Sequence, residues 1–288
     1  MKTREEKLQQ IIAWAEQNKD IRVVLLTSSL VNPYAPVDDF SDLDVELVFE
    51  NMASYESDKK WVELFGVPIS MVEEDETFFE GRHAMKMVLY EDHVKVDFKL
   101  YQKSEFIKEV QEEILPEDWD VGYKVLVDKD QLTKDLKAPT YQSIMIQKPT
   151  PERFQQLIND FWWDTTYVAK CLKRDEIFYA KFMSEDVIRT DYFVPLLEWY
   201  IASEQGWNNM TTNKHGRLFK RYLSPELWKK VEATFSGNNI EENWNAIFAY
   251  ADLFHEIGID IATKINTVYP EELENKVRKY LIEIRLQG

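Results

Sequence analysis

Two strand-like stretches joined by an acidic, proline-punctuated loop constrain this chain more than any other feature. Ile21 to Leu26 is a continuous apolar, β-branched run of strand length, and Leu43 to Phe49 alternates so that Asp44, Glu46 and Val48 share one face. The loop between them carries Asn32-Pro33 and Ala35-Pro36. A residue before proline is pushed out of the helical region, so this connection is an ordered excursion and not a helix. It ends in Asp38, Asp39, Asp42 and Asp44, a concentration of negative charge that something must offset.

Asp42 and Asp44 are two apart, and a strand has a side-chain period of two, so both carboxylates leave the backbone in one direction. Hard divalent cations such as Mg²⁺ bind through one or two carboxylates and complete their shell with water and phosphate oxygens. Further on, His93 to Leu100 alternates strictly, with Asp97 the only acid on the face that carries His93 and Lys95. If that strand lies beside Leu43 to Phe49, Asp97 completes a three-carboxylate cluster. An Asp-x-Asp pair at the end of a loop is more often a solvated turn or cap, so the spacing alone leaves both readings open.

The rest of the chain reads as support. Apolar residues at Leu8, Ile11, Ile12 and Ala15 predict an amphipathic helix over Glu5 to Gln17, and Met52 to Phe65 reads as a second. Gly66-Val67-Pro68 breaks it, Ile69 to Val72 is a short strand, and Glu73 to Glu76 is a solvated loop. Met85 to Tyr90 and Val94 to Tyr101 form a hairpin that delivers Asp97. A helix over Ser104 to Ile114, a strand over Tyr123 to Val127 and a helix or turn over Asp128 to Leu136 follow, which together argue for a mixed sheet flanked by helices.

Lys137 to Pro151 is poorly periodic and holds three prolines, so residues 138–150 read as a linker between a domain at 1–137 and one at 151–288. Thr150 as N-cap with Pro151 at the first helical position starts a region that is helical to the end. Trp244, Ile247, Ala251, Phe254, Gly258, Ile261 and Ile265 step by three and four, the seam of a helix in a bundle. A helix over Ile177 to Glu204 and shorter ones near Leu218 and Trp228 complete it.

Composition narrows the class. Of 288 residues 44 % are hydrophobic and 14 % aromatic, which excludes disorder, and there is no apolar run of about 18 residues for a membrane span. One cysteine, Cys171, excludes an intrachain disulfide framework, and with a charged N-terminus unlike a signal peptide it points to the cytoplasm. The net charge of −17, from 52 acidic against 35 basic side chains, repels nucleic acid and attracts a polycation, although acidity also simply keeps a protein soluble. His83, His93, His215 and His255 have no ligand-like spacing.

Taken together, Ser28-Ser29, Asn32-Pro33, Ala35-Pro36, Asp39-Phe40-Ser41-Asp42-Leu43-Asp44 and Val96-Asp97-Phe98 resemble the nucleotidyltransferase fold of the polymerase-β type. More narrowly, they resemble the aminoglycoside 6-adenylyltransferases (streptomycin adenylyltransferases) of bacteria. The likeness continues through Phe161-Trp162-Trp163-Asp164, Tyr167-Val168-Ala169-Lys170, Tyr179-Ala180-Lys181, Leu197-Glu198-Trp199, Gly216-Arg217 with Lys220, and Glu242-Asn243-Trp244, so it spans nearly the whole chain. One departure stands out. The family usually reads Gly-Ser-Arg after the first strand where this chain has Ser28-Ser29-Leu30, which removes a positive charge.

The resemblance implies an α+β protein: a nucleotidyltransferase-type mixed sheet with flanking helices, followed by an all-α helical bundle that binds substrate. It implies transfer of AMP from ATP to a hydroxyl of a streptomycin-type aminoglycoside, with release of pyrophosphate and antibiotic resistance as the outcome. Two Mg²⁺ ions would be held by the catalytic acids Asp42, Asp44 and Asp97. Ser28 and Ser29 would hold phosphates, with Lys181, Lys214 and Lys220 reaching the same nucleotide. Trp162, Asp164, Glu185 and Glu198 would meet the cationic acceptor, since carboxylates pair bidentately with guanidinium. A monomer or weak dimer, with no nucleic-acid or membrane partner, completes the expectation. Two alternatives stay open: a homologue acting on another acceptor, such as a lincosamide or a protein, and a non-catalytic ligand-binding homologue.

Overall fold

Thr3 starts the first helix, Arg4–Gln17, with a reciprocal cap: its hydroxyl accepts from the Glu6 N–H at 3.2 Å, and its own N–H donates to Glu6 Oε2 at 2.8 Å. The helix buries Leu8, Ile11 and Ala15. The structure, a computed structural model, describes residues 3–287, and the chain divides into two compact units, Met1–Ile144 and Met145–Gly288.

Six strands make the first unit: β1 (Ile21–Thr27), β2 (Leu43–Phe49), β3 (Pro68–Glu74), β4 (Ala84–Tyr90), β5 (Lys95–Gln102) and β6 (Tyr123–Asp128). They form one mixed sheet in the order β3-β4-β5-β2-β1-β6, antiparallel throughout except for the parallel pair β2 and β5. The unbroken apolar run of β1 is that of a strand covered on both faces. Ile21, Val24 and Leu26 pack with Val45, Leu47, Phe98 and the first helix, whereas Val23 and Leu25 join Val48, Tyr101, Phe106 and Trp119 on the other side.

Several boundaries differ from expectation. Met52 to Phe65 is not one helix: Ala53–Ser57 ends at Asp58, which is extended and accepts the Lys60 N–H at 2.9 Å, and a 3₁₀ turn, Lys60–Phe65, follows. An aspartate that captures the backbone two residues on competes with helix propagation. Glu73 and Glu74 lie inside β3, where Glu73 pairs with Lys86 at 2.5 Å and with Lys59. Residues 138–144 belong to the first unit. The buried Asp120 carboxylate draws them in, accepting from Thr140 N (2.8 Å), Thr140 Oγ1 (2.6 Å) and Ser143 N (3.1 Å).

At the end of β1 the chain turns through Ser28, whose φ of 61° lies in the left-handed region. Its carbonyl accepts from the Val31 and Asn32 N–H groups at 3.2 and 3.1 Å. Serine thus takes up the backbone conformation that glycine adopts most readily. Gly122, just before β6, allows that loop to approach: a Cβ there would stand 2.9 Å from the Val31 carbonyl oxygen.

The second unit is helical. Pro151–Lys173, capped by Thr150, packs against Ile240–Lys264, and Phe161 stacks on Phe254 with centroids 3.4 Å apart. Ile177–Glu204 runs continuously, but its middle, Phe182–Phe193, is wound as a π-helix. The short helices Phe219–Tyr222 and Pro225–Glu232 and a final one, Glu271–Leu286, close the bundle.

Two measurements test this account. Ser28→Gly and Ser28→Ala both lose the hydroxyl and differ only in backbone freedom, so chemical denaturation should find the glycine variant more stable by about 1 kcal/mol. Equal stabilities would mean that the turn carries no strain. Asp120→Ala takes the acceptor away from two half-buried backbone N–H groups and should cost about 1–3 kcal/mol. Burial raises the Asp120 carboxyl, but its hydrogen bonds outweigh that and hold it at about 2, below its usual 3.8. The unfolded chain therefore takes up the proton first as pH falls. The contribution is whole at neutral pH and fades between about pH 4 and pH 2 in the parent but not in the variant.

Candidate active site

The parallel register of β2 and β5 sets Asp44 directly beside Asp97, and the next row on the same face sets Glu46 beside Lys99. Asp42 lies one residue before β2. Between these acids stands an ammonium group: Lys95 Nζ is 3.0 Å from Asp42 Oδ2 and 2.9 Å from Asp97 Oδ2. The two carboxylate oxygens are therefore separated by no more than the sum of those distances. Among the described residues, no three acids, histidines or cysteines stand together as a formed metal site. Of the expected trio, Asp42 and Asp97 are thus bridged by a lysine, and Asp44 stands beside Asp97.

The electrostatics show what such a cluster costs. Burial, then the neighbouring charge of Asp97, push the Asp44 carboxyl up to about 6, while a hydrogen bond from Ser28 pulls the other way. The other oxygen of Asp97, Oδ1, is buried with no partner. An orphaned carboxylate oxygen beside a crowded pair of acids is the donor set that a hard divalent cation satisfies, so the residues fit Mg²⁺ once the ammonium moves. Ser28 and Ser29 lie at the end of β1, the strand that pairs with β2, and both are partly exposed. Leu30 packs on the apolar core and carries no charge to the site.

Beneath the acids, Glu46 is almost fully buried and accepts from Trp119 Nε1 at 2.8 Å, with Lys99 Nζ at 3.9 Å and Lys99 itself 2.9 Å from Asp118. Burial pushes Glu46 up to about 7 against the pull of Lys99. It is a support for the row above, as its depth in the strand suggests.

The second unit distributes its expected site residues rather than gathering them. Trp162, expected to meet the acceptor, is 0 % exposed and donates to Tyr269 Oη at 3.2 Å, so it is a core residue. Helical phase explains this, because Trp162 follows Phe154 and Ile158 on the buried face. Its neighbour Trp163 is 63 % exposed. Lys181 is occupied within the unit, donating to Ser236 O at 2.6 Å and Ser236 Oγ at 2.9 Å, and Glu185 is clamped by Arg189 at 2.5 Å. Both were expected to meet ligands; instead Lys181 binds Ser236, and Glu185 holds Arg189, which donates to Thr234 Oγ1 and Thr234 O. Asp164 accepts from Tyr192 Oη at 2.7 Å and Glu198 from Thr212 Oγ1 at 2.8 Å; burial raises both carboxyls above their usual range. Lys214 and Lys220 are exposed, the latter 5.5 Å over the Trp228 ring.

Comparison with known proteins adds lineage to this geometry. The profile of the streptomycin adenylyltransferase family matches residues 1–284. The aminoglycoside 6-adenylyltransferase of Campylobacter jejuni is 30 % identical over 295 aligned residues, covering 98 % of this chain and 99 % of its own length. That of Bacillus subtilis (strain 168) is 30 % identical over 284 residues, covering 97 % of each. Among solved structures, an aminoglycoside 6-adenyltransferase from Bacillus subtilis aligns over 100 % of both chains at 25 % identity, with a TM-score of 0.47. With acids from two parallel strands side by side and a family profile matching from end to end, the chain belongs to the streptomycin adenylyltransferase family.

Proposed function

We propose that the protein transfers AMP from ATP to a hydroxyl of a streptomycin-type aminoglycoside and releases pyrophosphate. The observation that carries this reading is the convergence of Asp42, Asp44 and Asp97 beside the Ser28-Ser29 turn. Family membership and two relatives named aminoglycoside 6-adenylyltransferase support it.

Adenylyl transfer needs the triphosphate charge neutralised, the acceptor oxygen in line with the leaving group, and a place for its proton. Mg²⁺ held by Asp42, Asp44 and Asp97 would supply charge neutralisation at the phosphates and a more acidic acceptor hydroxyl. The chain's own groups do the rest. Ser28 orients the Asp44 carboxylate, and the Ser29 hydroxyl is available to phosphate oxygens. Asp97, set beside Asp44 by the parallel register, is the acid placed to take the hydroxyl proton. Glu46 and Lys99 fix the strands beneath.

The acceptor is a cation, and the net charge of −17 favours its approach. In the second unit Asp164 and Glu198, each holding a single hydroxyl, are the acids assigned to it, and the exposed Trp163 takes the place first given to Trp162. The exposed Lys214 and Lys220 remain the cations available for a triphosphate. With ATP as co-substrate, the compartment expected for this activity is the cytoplasm.

Purified protein with ATP, Mg²⁺ and streptomycin should release pyrophosphate and yield the adenylylated drug by mass spectrometry. Absence of transfer to every aminoglycoside in a panel would refute the reading. Asp42→Asn and Asp97→Asn should each lower turnover roughly a hundredfold or more. Trp162→Ala should cost about 3–5 kcal/mol of stability. Trp163→Ala should leave the unfolding midpoint in place and raise KM for the drug.

A further inference from the structure

Lys95 is the cation paired with the acid cluster among the described residues, bridging Asp42 Oδ2 at 3.0 Å and Asp97 Oδ2 at 2.9 Å. It opens β5, two residues before Asp97, so the period-two geometry of a strand sends both side chains to the same face. Its side chain is 38 % exposed, against 15 % for Asp97. The flexible four-carbon stem therefore has an unobstructed way out to solvent, while the carboxylate does not.

We propose that Lys95 is a built-in competitor for the divalent cation: it neutralises the acids in the metal-free protein and must leave before the ion binds. The inference rests on the reading of Asp42, Asp44 and Asp97 as metal ligands. An ammonium group and a hard dication seek the same carboxylate lone pairs, and two positive charges at hydrogen-bonding separation repel. Occupancy by one excludes the other. The orphaned Asp97 Oδ1 shows that one ammonium does not saturate the cluster, which leaves the ion a gain to bring. A site that is free only a fraction of the time has its apparent affinity lowered by that fraction, so a lysine seated about nine-tenths of the time weakens the bare ion about tenfold. Nucleotide-bound metal brings phosphate oxygens as extra ligands and displaces Lys95 more readily. The device thus keeps the site from filling before ATP arrives.

Calorimetric titration of the full chain with Mn²⁺ alone, without nucleotide, tests this. Lys95→Met should bind Mn²⁺ about tenfold more tightly than the parent. Lys95→Arg, which keeps the charge, should bind as weakly as the parent. In EDTA the methionine variant should melt below the parent and regain the difference with Mn²⁺; Lys95→Gln gives the same ordering if the methionine variant is too unstable to handle. Unchanged or weaker Mn²⁺ binding by the uncharged variants overturns the proposal, as does a melting temperature in EDTA equal to that of the parent. Asp97→Asn separates the two levels of inference. Loss of Mn²⁺ binding in that variant upholds the metal site even where the Lys95 variants fail, whereas Mn²⁺ binding unaffected by Asp97→Asn overturns the metal reading and the competitor with it.

Discussion

The parallel pairing of β2 with β5 is the constraint on which the first unit depends. It joins segments some fifty residues apart in the chain and sets Asp44 against Asp97 and Glu46 against Lys99 in successive rows. A parallel pair cannot be closed by a tight turn, so the intervening residues must build a crossover. Here they build the Ala53–Phe65 region and the β3-β4 hairpin. A shift of one residue in that register would send the acids to the opposite face, among Leu43, Val45 and Phe98.

Along that face the sheet changes character. Val48 and Tyr101 are packed under Phe106 and Trp119, Glu46 and Lys99 form a buried polar step, and Asp44 and Asp97 reach the open end. Each row is compensated differently: apolar packing, then a charge pair with a tryptophan N–H, then a half-buried lysine. Burial raises both Glu46 and Asp44, but only at the open end does a carboxylate of these rows, Asp97, keep an unpaired oxygen. That is the place where an arriving cation has most to offer.

Much of this was legible in the residues because it follows from periodicity. Alternation placed Asp44, Glu46 and Asp97 on strand faces, and steps of three and four located the helix Ile240–Lys264. Local chemistry was harder to read. Asp58 interrupts a helix whose apolar pattern runs straight through it, and Asp120 retains residues that composition alone assigns to a linker. Lys95 was visible on the Asp97 face, but a strand pattern says which way a side chain points and not which acids another strand brings to it. In the second unit, Lys181 and Trp162 sit in motifs typical of the family, and their partners Ser236 and Tyr269 lie too far along the chain for spacing to reveal, whereas the Glu185–Arg189 pair has helical i,i+4 spacing.

The sequence by itself determined the α+β class, the order of strands and helices, and the side on which each acid emerges, because those depend on repeat lengths within one segment. Tertiary structure decided which acids meet, that a lysine stands between them, and which tryptophan is sealed in the bundle. Those outcomes depend on strand register and helix packing, which bring together residues that no local repeat relates.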